Sequence, residues 1–164
     1  DKISIHLKRA VVASEDHKFM DHNGFDWEGM QHALEKNQRR GKRAAGGSTI
    51  TQQLAKNLFL SPSRSYVRKA QEAVITVMIE AFWDKRRILE VYLNVVEWGN
   101  GVFGAEAGAR RQYHQPAASL SAWQAVNMAV MLPNPRKFER NMPNYAREHA
   151  ESVLERMGYS VVPR

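Results

Sequence analysis

The sequence contains no cysteine among its 164 residues. This absence excludes disulfide bonds, thiol catalysis and metal sites built from cysteine. The six histidines form no HExxH or HxxxH pair, so the sequence does not predict a zinc site on a helix. There is also no internal repeat and no low-complexity tract, which is typical of an ordinary globular protein.

Long hydrophobic runs are also lacking. The longest apolar stretches, residues 73–83 and 122–132, are interrupted by Glu80, Gln124 and Asn127. Both are shorter than the ~20 residues that a membrane-spanning helix needs, and no signal peptide is recognisable. Because the sequence begins at Asp1 in the middle of a helical pattern, we expect it to be an excised domain.

Positive charge, by contrast, is abundant. Lys and Arg outnumber Asp and Glu by 24 to 17, and the net charge is +7. A basic surface predicts an anionic partner, such as nucleic acid, lipid headgroups or a phosphorylated substrate. The densest cluster is Arg39-Arg40-Gly41-Lys42-Arg43, which could equally be a solvated basic loop.

Most of the sequence shows helical periodicity, and the alternating runs that are typical of strands are scarce. Helix-start signals include Asp26, Asp84 and the capping-box patterns that begin at Thr49 and Ser121. The sequence therefore predicts an all-α fold in a single domain over residues 1–164. A small hairpin near residues 99–104 is compatible with the glycines there.

The segment Glu15-Asp16-His17-Lys18-Phe19-Met20-Asp21-His22-Asn23-Gly24 could carry acid–base chemistry. An apolar ring such as Phe19 beside the Glu15 carboxyl would raise its pKa, which suits a general base. His22 could hydrogen-bond and orient a neighbouring carboxylate. Taken alone, an acidic pair at a helix end and a histidine in a loop are more often solvated or structural.

The segment Gly46-Gly47-Ser48-Thr49-Ile50-Thr51-Gln52-Gln53-Leu54-Ala55-Lys56-Asn57 opens a helix after a glycine turn. Free N–H groups at a helix N-terminus bind phosphate, and a lysine one or two turns further on adds a full charge. We expect Ile50, Leu54 and Leu58 to form the buried stripe of this helix. Thr49, Gln53 and Lys56 form a second, polar face, which a helix used only for packing would not need.

The third element is Arg68-Lys69-Ala70-Gln71-Glu72. An ion pair between Arg68 and Glu72 on the helix surface is its simplest explanation. In a pyrophosphate site, Arg68 and Lys69 would instead contact the ligand, and Glu72 would hold a lysine or a metal.

Five motifs in order resemble those of the peptidoglycan glycosyltransferases, glycosyltransferase family 51. They are ED-x-x-F-x-x-H-x-G at residues 15–24, GGSTITQQLAKN at 46–57, RK-x-x-E at 68–72, ILE-x-YLN at 88–94 and the proline motif at 132–135. They cover nearly the whole sequence, and its ending near residue 164 predicts the monofunctional form of the enzyme.

The resemblance implies a lysozyme-like helical fold and polymerisation of lipid II with inversion. Glu15 would deprotonate the acceptor's 4-hydroxyl group, and Glu72 would be the second catalytic residue, with a divalent cation (Mg or Mn) as a candidate cofactor. The remaining expected site residues bind substrate: Asp16, Phe19, His22, Ser48, Thr49, Gln52, Gln53, Lys56, Arg64, Arg68 and Lys69.

The resemblance also implies a location at the outer, periplasmic face of the bacterial cytoplasmic membrane, through an anchor helix and a membrane-embedded flap region. The implied partners are lipid II, the growing glycan strand, the anionic membrane surface and other cell-wall synthesis or division proteins, but not nucleic acid. Two alternatives stay open: a lysozyme-like muramidase or lytic transglycosylase, and a basic nucleic-acid-binding module.

Overall fold

The computed structural model describes residues 2–40, 47–59 and 65–164, and the backbone alone for residues 37–40. The helices in this part of the chain are α1 (Ile5–Glu15), α2 (Trp27–Arg40), α3 (Ile50–Phe59), α4 (Tyr66–Phe82), α5 (Lys85–Val95), α6 (Ala105–Tyr113), α7 (Ala122–Met131), α8 (Pro135–Arg140) and α9 (Asn144–Met157). A 3₁₀ turn covers Ala117–Ser119. These elements confirm the all-α, lysozyme-like class that the sequence predicts.

The helices bury their apolar faces mainly within two groups. Helix α7 packs against α1 and α9, and helix α3 packs against α4 and α5. The largest fully buried side chains include Trp98, Tyr92 and Phe19. The buried Trp98 donates its indole N–H to the carbonyl of Met128 at 2.8 Å, so this polar group is satisfied inside the core.

The helix-start signals read from the sequence are confirmed. Ser121 and Gln124 form a reciprocal capping box at the start of α7. Asp84 accepts from the backbone N–H of Arg87 at the start of α5. Asp26 accepts from the backbone N–H of Gly29 at the start of α2. Each cap satisfies an N–H group that the first helical turn leaves without an internal partner.

The hairpin near residues 99–104 is also confirmed. Strand β1 (Glu97–Gly99) pairs antiparallel with β2 (Val102–Phe103). Helices α6 and α8, by contrast, were not predicted. A glycine in the middle of α6 lowers helix propensity, but Gly108 is needed there, because a Cβ atom would lie 2.9 Å from Met128 and 3.1 Å from Trp98. Helix α8 has only six residues, too few to show a periodic pattern.

The prediction of a buried stripe on α3 was wrong at one of its three positions. Ile50 and Leu54 are fully buried, but the side chain of Leu58 is 37% exposed. The last turn of α3 extends beyond the contacts that cover its first two turns, since Phe59 is exposed as well.

Helix α4 presents an apolar face to solvent. Val67, Val74, Met78 and Phe82 follow one another at helical spacing and are 50–78% exposed. We call these four residues the α4 apolar face. The opposite side of the helix is buried through Glu72, Thr76 and Ile79. No helix in the described ranges combines the length and the apolar character that crossing a bilayer requires.

Several predictions fall on residues outside the described part of the chain. These are the backbone and side chains of Gly41, Lys42, Arg43 and Gly46, the side chains of Arg39 and Arg40, and Arg64.

Candidate active site

Glu15, the last residue of α1, carries the carboxyl group at the centre of the site. Its Oε1 atom is buried and has no hydrogen-bond partner among the described residues. The pKa of Glu15 is raised from 4.5 to about 7, mainly because burial disfavours the charged form; the Gln53 hydrogen bond acts to lower this pKa, and the charge of Asp16 acts to raise it. A carboxyl group with this pKa exists in both protonation states near neutral pH, which is the property of a general base.

Two side chains from other helices hold Glu15 in place. Gln53, on α3, donates from Nε2 to the Glu15 Oε2 atom at 3.3 Å. Tyr92, on α5, donates its hydroxyl group to the Gln53 Oε1 atom at 2.9 Å. The Glu15 carboxyl group is therefore fixed through one oxygen, whereas its other oxygen has no partner in the part of the chain that the structure describes.

Asp16 joins the loop after α1 to the start of α3. Its carboxylate accepts from the His22 Nε2 atom at 2.7 and 2.9 Å. It also accepts from the backbone N–H of Ile50 at 3.1 Å, in the first turn of α3. Because His22 Nδ1 accepts from the backbone N–H of Gly24 at 2.9 Å, the ring proton lies on Nε2 and is donated to Asp16. The expected orienting contact of His22 is present, and its carboxylate partner is Asp16.

Thr49 and Gln52 form the capping box of α3. The Thr49 hydroxyl accepts from the backbone N–H of Gln52 at 3.2 Å, and Gln52 Oε1 accepts from the backbone N–H of Thr49 at 2.8 Å. The Thr49 hydroxyl also donates to the Gly24 carbonyl at 2.6 Å. Both side chains are buried, so their positions show a role in holding the α3 N-terminus. Their contact with substrate stays a prediction.

A second polar group lies between α3, α4 and α5. Thr51 donates to the Glu80 Oε1 atom at 2.7 Å, and Lys85 contacts the same oxygen at 2.7 Å. The Lys85 ammonium group also lies 4.6 Å from the centre of the Phe19 ring. Phe19 is fully buried, which makes it part of the core that supports the site.

Glu15 lines two grooves. One groove, of about 800 Å³, is lined by Glu15, Ser48, Gln53, Lys56 and Asn57, together with Glu97, Phe103 and Pro133. The second groove, of about 390 Å³, is lined by Glu15 together with residues of α2 and α9, including His32 and His149. Ser14, Glu15 and Ser48 line both grooves.

The residues predicted for the phosphate side lie on α3 and α4. Lys56 is exposed on the wall of the larger groove. Glu72 is buried on α4, and its carboxylate lies 3.5 Å from the Lys69 ammonium group. The backbone N–H of Arg68 donates to the Ser65 hydroxyl, which caps α4.

The donor atoms around Glu72 do not fit a dedicated cation site. Within the described ranges, no three His, Asp or Glu side chains lie close enough together to hold a metal ion. The Glu72 carboxylate is instead placed against an ammonium group. This arrangement agrees with the lysine-holding alternative for Glu72.

Helical periodicity over residues 88–96 predicts that Tyr92 lies on the inner face of α5, and Tyr92 is fully buried there. Its hydroxyl contact with Gln53 could not be read from the sequence. Burial raises the pKa of Tyr92 well above 10, with the charges of Glu15 and Asp16 as further causes. The only signal in the sequence was a tyrosine at a core position, since a buried hydroxyl group needs a partner.

The sequence is similar to those of known proteins. The family model described as Transglycosylase matches residues 1–158. The chain is 68% identical over 163 residues to a biosynthetic peptidoglycan transglycosylase of Azoarcus sp. (strain BH72), covering 99% of this chain and 71% of the relative. It is 66% identical, over the same shares of both chains, to a protein of the same name from Aromatoleum aromaticum. A third relative of that name, from Thiobacillus denitrificans, is 58% identical over 165 residues, covering 100% of this chain and 71% of the relative.

Proposed function

The chain belongs to the transglycosylase family, and on this premise we propose that it polymerises lipid II into β-1,4-linked glycan strands. The observation that carries the proposal is Glu15, a buried carboxyl group with a pKa of about 7 on the wall of a groove that also exposes Lys56. This pairs a base with a cation inside one groove, as an inverting transfer with an anionic leaving group requires.

The proposed reaction takes place at a single carbon atom. Glu15 removes the proton from the 4-hydroxyl group of the acceptor's terminal GlcNAc. The freed oxygen forms a bond to C1 of the donor's MurNAc, while the bond from C1 to the phosphate oxygen breaks. Undecaprenyl pyrophosphate leaves with the electron pair of that bond, and the configuration at C1 inverts. Protonated Glu15 returns its proton to solvent before the next cycle.

We assign the leaving-group side to the cations of α3 and α4. Lys56 and Lys69 are both exposed, so each can turn its ammonium group toward a diphosphate. The buried Glu72 orients Lys69 from within the same helix. No step is assigned to a divalent cation, because the donor atoms described around Glu72 do not form a site for one.

The two grooves offer separate places for the two substrates. The larger groove joins Glu15 to Lys56, so we assign it to the donor strand with its diphosphate. The smaller groove meets the larger one at Glu15, so we assign it to the incoming acceptor disaccharide. With this division, both sugars reach the Glu15 carboxyl group, which lines both grooves.

We place this activity in the cell envelope, at the outer face of the cytoplasmic membrane. The polyprenyl tail of lipid II stays in the bilayer, so the cleft must work at the interface. The α4 apolar face supports this location, because exposed apolar patches of this kind mark interaction surfaces.

The proposal is tested with labelled lipid II and, in parallel, with polymeric peptidoglycan. We expect the protein to convert lipid II into a polymer and to leave polymeric peptidoglycan intact. Release of soluble fragments from the polymer, without any product from lipid II, would instead identify a muramidase or lytic transglycosylase.

A further inference from the structure

We propose that Tyr92 is a positioning residue for the base: it sets the rotamer of the Gln53 amide, which in turn holds its N–H against the carboxylate of Glu15. This inference deepens the proposed function and rests on it. It assigns Tyr92 no contact with substrate, only an effect exerted through Gln53.

The geometry forms one continuous chain of three side chains from three helices. Tyr92 is fully buried, and its hydroxyl group lies 2.9 Å from Gln53 Oε1. Gln53 Nε2 lies 3.3 Å from Glu15 Oε2. The hydroxyl group of a fully buried tyrosine has no water to bond, so Gln53 Oε1 is the acceptor that satisfies it.

Reversing the Gln53 amide would break this chain at both ends. The amide oxygen would then face the Glu15 carboxylate, and two acceptors would oppose each other. The amide nitrogen would face Tyr92, so the tyrosine hydroxyl could only accept and its own proton would lose its partner. Because an unpaired buried donor is costly, Tyr92 holds the amide with its N–H toward Glu15.

This orientation has a chemical consequence for Glu15. The Gln53 N–H donates to Oε2 and favours the ionised form of the carboxylate, because a hydrogen bond to the charged form stabilises that form. Oε1 stays buried and without a partner among the described side chains. Through Gln53, Tyr92 therefore favours the ionised form of Glu15, which is the form that can accept a proton.

Replacing Tyr92 by phenylalanine removes the hydroxyl group and keeps the ring in the core. The Gln53 amide can then reverse whenever Glu15 is protonated, since its oxygen accepts from the carboxyl proton. This stabilises the protonated form and raises the pKa of Glu15. We expect the acid side of the pH–rate profile of Tyr92→Phe to move upward by up to about one pH unit, since the change is at most that of one neutral hydrogen bond.

The shape of the profile separates positioning from a structural defect. If Tyr92 acts through the pKa of Glu15, turnover falls at pH 6–7 and recovers at pH 9. A loss of packing between α3 and α5 would lower turnover equally at every pH. Tyr113→Phe is the matched control, because Tyr113 is half-buried and lines a different groove with Trp123 and Phe138. We expect its profile to coincide with that of the unmodified chain.

A double-mutant cycle tests whether the effect passes through Gln53. Gln53→Met keeps the length of the side chain without the amide, and it should reproduce the upward shift with Tyr92 intact. In the Gln53→Met background, Tyr92→Phe should then change nothing further. Additive shifts would overturn the inference, because they would show that Tyr92 acts on Glu15 by another route.

A measurement without substrate distinguishes failure of this inference from failure of the proposed function. The pKa of Glu15 can be followed by carbon NMR of the labelled carboxyl group in the unmodified chain, Tyr92→Phe and Gln53→Met. Equal values in all three would overturn the inference, even with lipid II polymerised normally. A raised value in both variants supports it, even if no form of the protein used lipid II.

Discussion

The carboxylate of Glu72 is buried, whereas the ammonium group of Lys69, 3.5 Å away, stands in solvent: their side chains are 8% and 69% exposed. A salt bridge that serves only the helix surface has both partners exposed, as Arg87 and Glu90 do on α5, at 54% and 55%. The asymmetry places the Glu72 carboxyl group inside the protein, where a salt bridge on the helix surface would not need it.

We therefore expect Glu72→Gln to abolish most of the polymerising activity at little cost in stability. Glutamine keeps the size of the buried side chain, and Lys69 stays solvated without its partner, so the free energy of unfolding should change by less than ~1 kcal/mol. Unfolding midpoint and turnover are measured on one preparation. The matched control is Glu90→Gln, which removes an exposed partner at the same i, i+3 spacing. If Glu72→Gln polymerises lipid II as well as Glu90→Gln does, Glu72 has no catalytic part.

Local sequence signals predicted the framework of the site. The capping box of Thr49 and Gln52 involves residues three positions apart, so its pattern is visible in the sequence. The contact between Tyr92 and Gln53 joins residues 39 positions apart on two helices, and only the packing of α3 on α5 brings them together. Periodicity likewise predicted a buried Leu58, because it carries no information about where the covering helices end.

The second prediction concerns Glu15 as the base. Glu15→Gln keeps the size and much of the hydrogen bonding of the side chain but removes the proton acceptor. We expect polymerisation to fall by at least ~10²-fold with the fold retained, since this is a common contribution of general base catalysis. Glu148→Gln, at an exposed carboxyl group on α9, serves as the control. Near-normal turnover of Glu15→Gln would show that another group takes the proton.

The third prediction concerns stability and pH at the same residue. The pKa of Glu15 is raised from 4.5 to about 7 in the folded chain, so between these values the folded state binds more protons than the unfolded state. Stability from this group is therefore fully present below pH 4.5 and is lost as the pH rises through 7.

The side chain at position 15 cannot ionise in Glu15→Gln, so this variant does not lose stability as the pH rises through 7. Relative to the unmodified chain, we expect it to gain up to about 3 kcal/mol in unfolding free energy above pH 8, and nothing at pH 4. Urea titrations at both pH values measure the difference. A gain that is equal at the two pH values would contradict the raised pKa.

The fourth prediction concerns the diphosphate side. If Lys56 and Lys69 hold the pyrophosphate, replacing either by methionine should weaken binding of a diphosphate-bearing donor. Binding of the neutral disaccharide should change little, because methionine keeps the apolar stem and loses only the charge. Titration calorimetry with both ligands gives the comparison. Equal weakening for the two ligands would mean that these lysines support the groove wall rather than the phosphates.

The last prediction concerns the membrane surface, where charge and apolar contact should act together. Arg39, Arg40, Lys42 and Arg43 precede the Gly46-Gly47 turn in sequence. Near an anionic bilayer each basic residue contributes ~1 kcal/mol, and salt screens the attraction within a Debye length. We expect the chain to bind vesicles that contain anionic lipid and to detach as salt rises. Changing the four basic residues to glutamine should weaken binding and leave the fold intact.

The apolar part of this interaction should come from the α4 apolar face and from Phe59, which is 59% exposed. Charge alone would hold the protein too far out for the cleft to reach lipid-linked sugars, so apolar side chains must enter the interface. Val74→Ser should therefore weaken vesicle binding even at high salt. Its matched control is Val161→Ser, because Val74 and Val161 are 60% and 63% exposed. Equal vesicle binding by these two variants would show that α4 does not contact the membrane. Vesicle binding that changes neither with salt nor with the replacement of Arg39, Arg40, Lys42 and Arg43 would show that these basic residues are only a solvated linker.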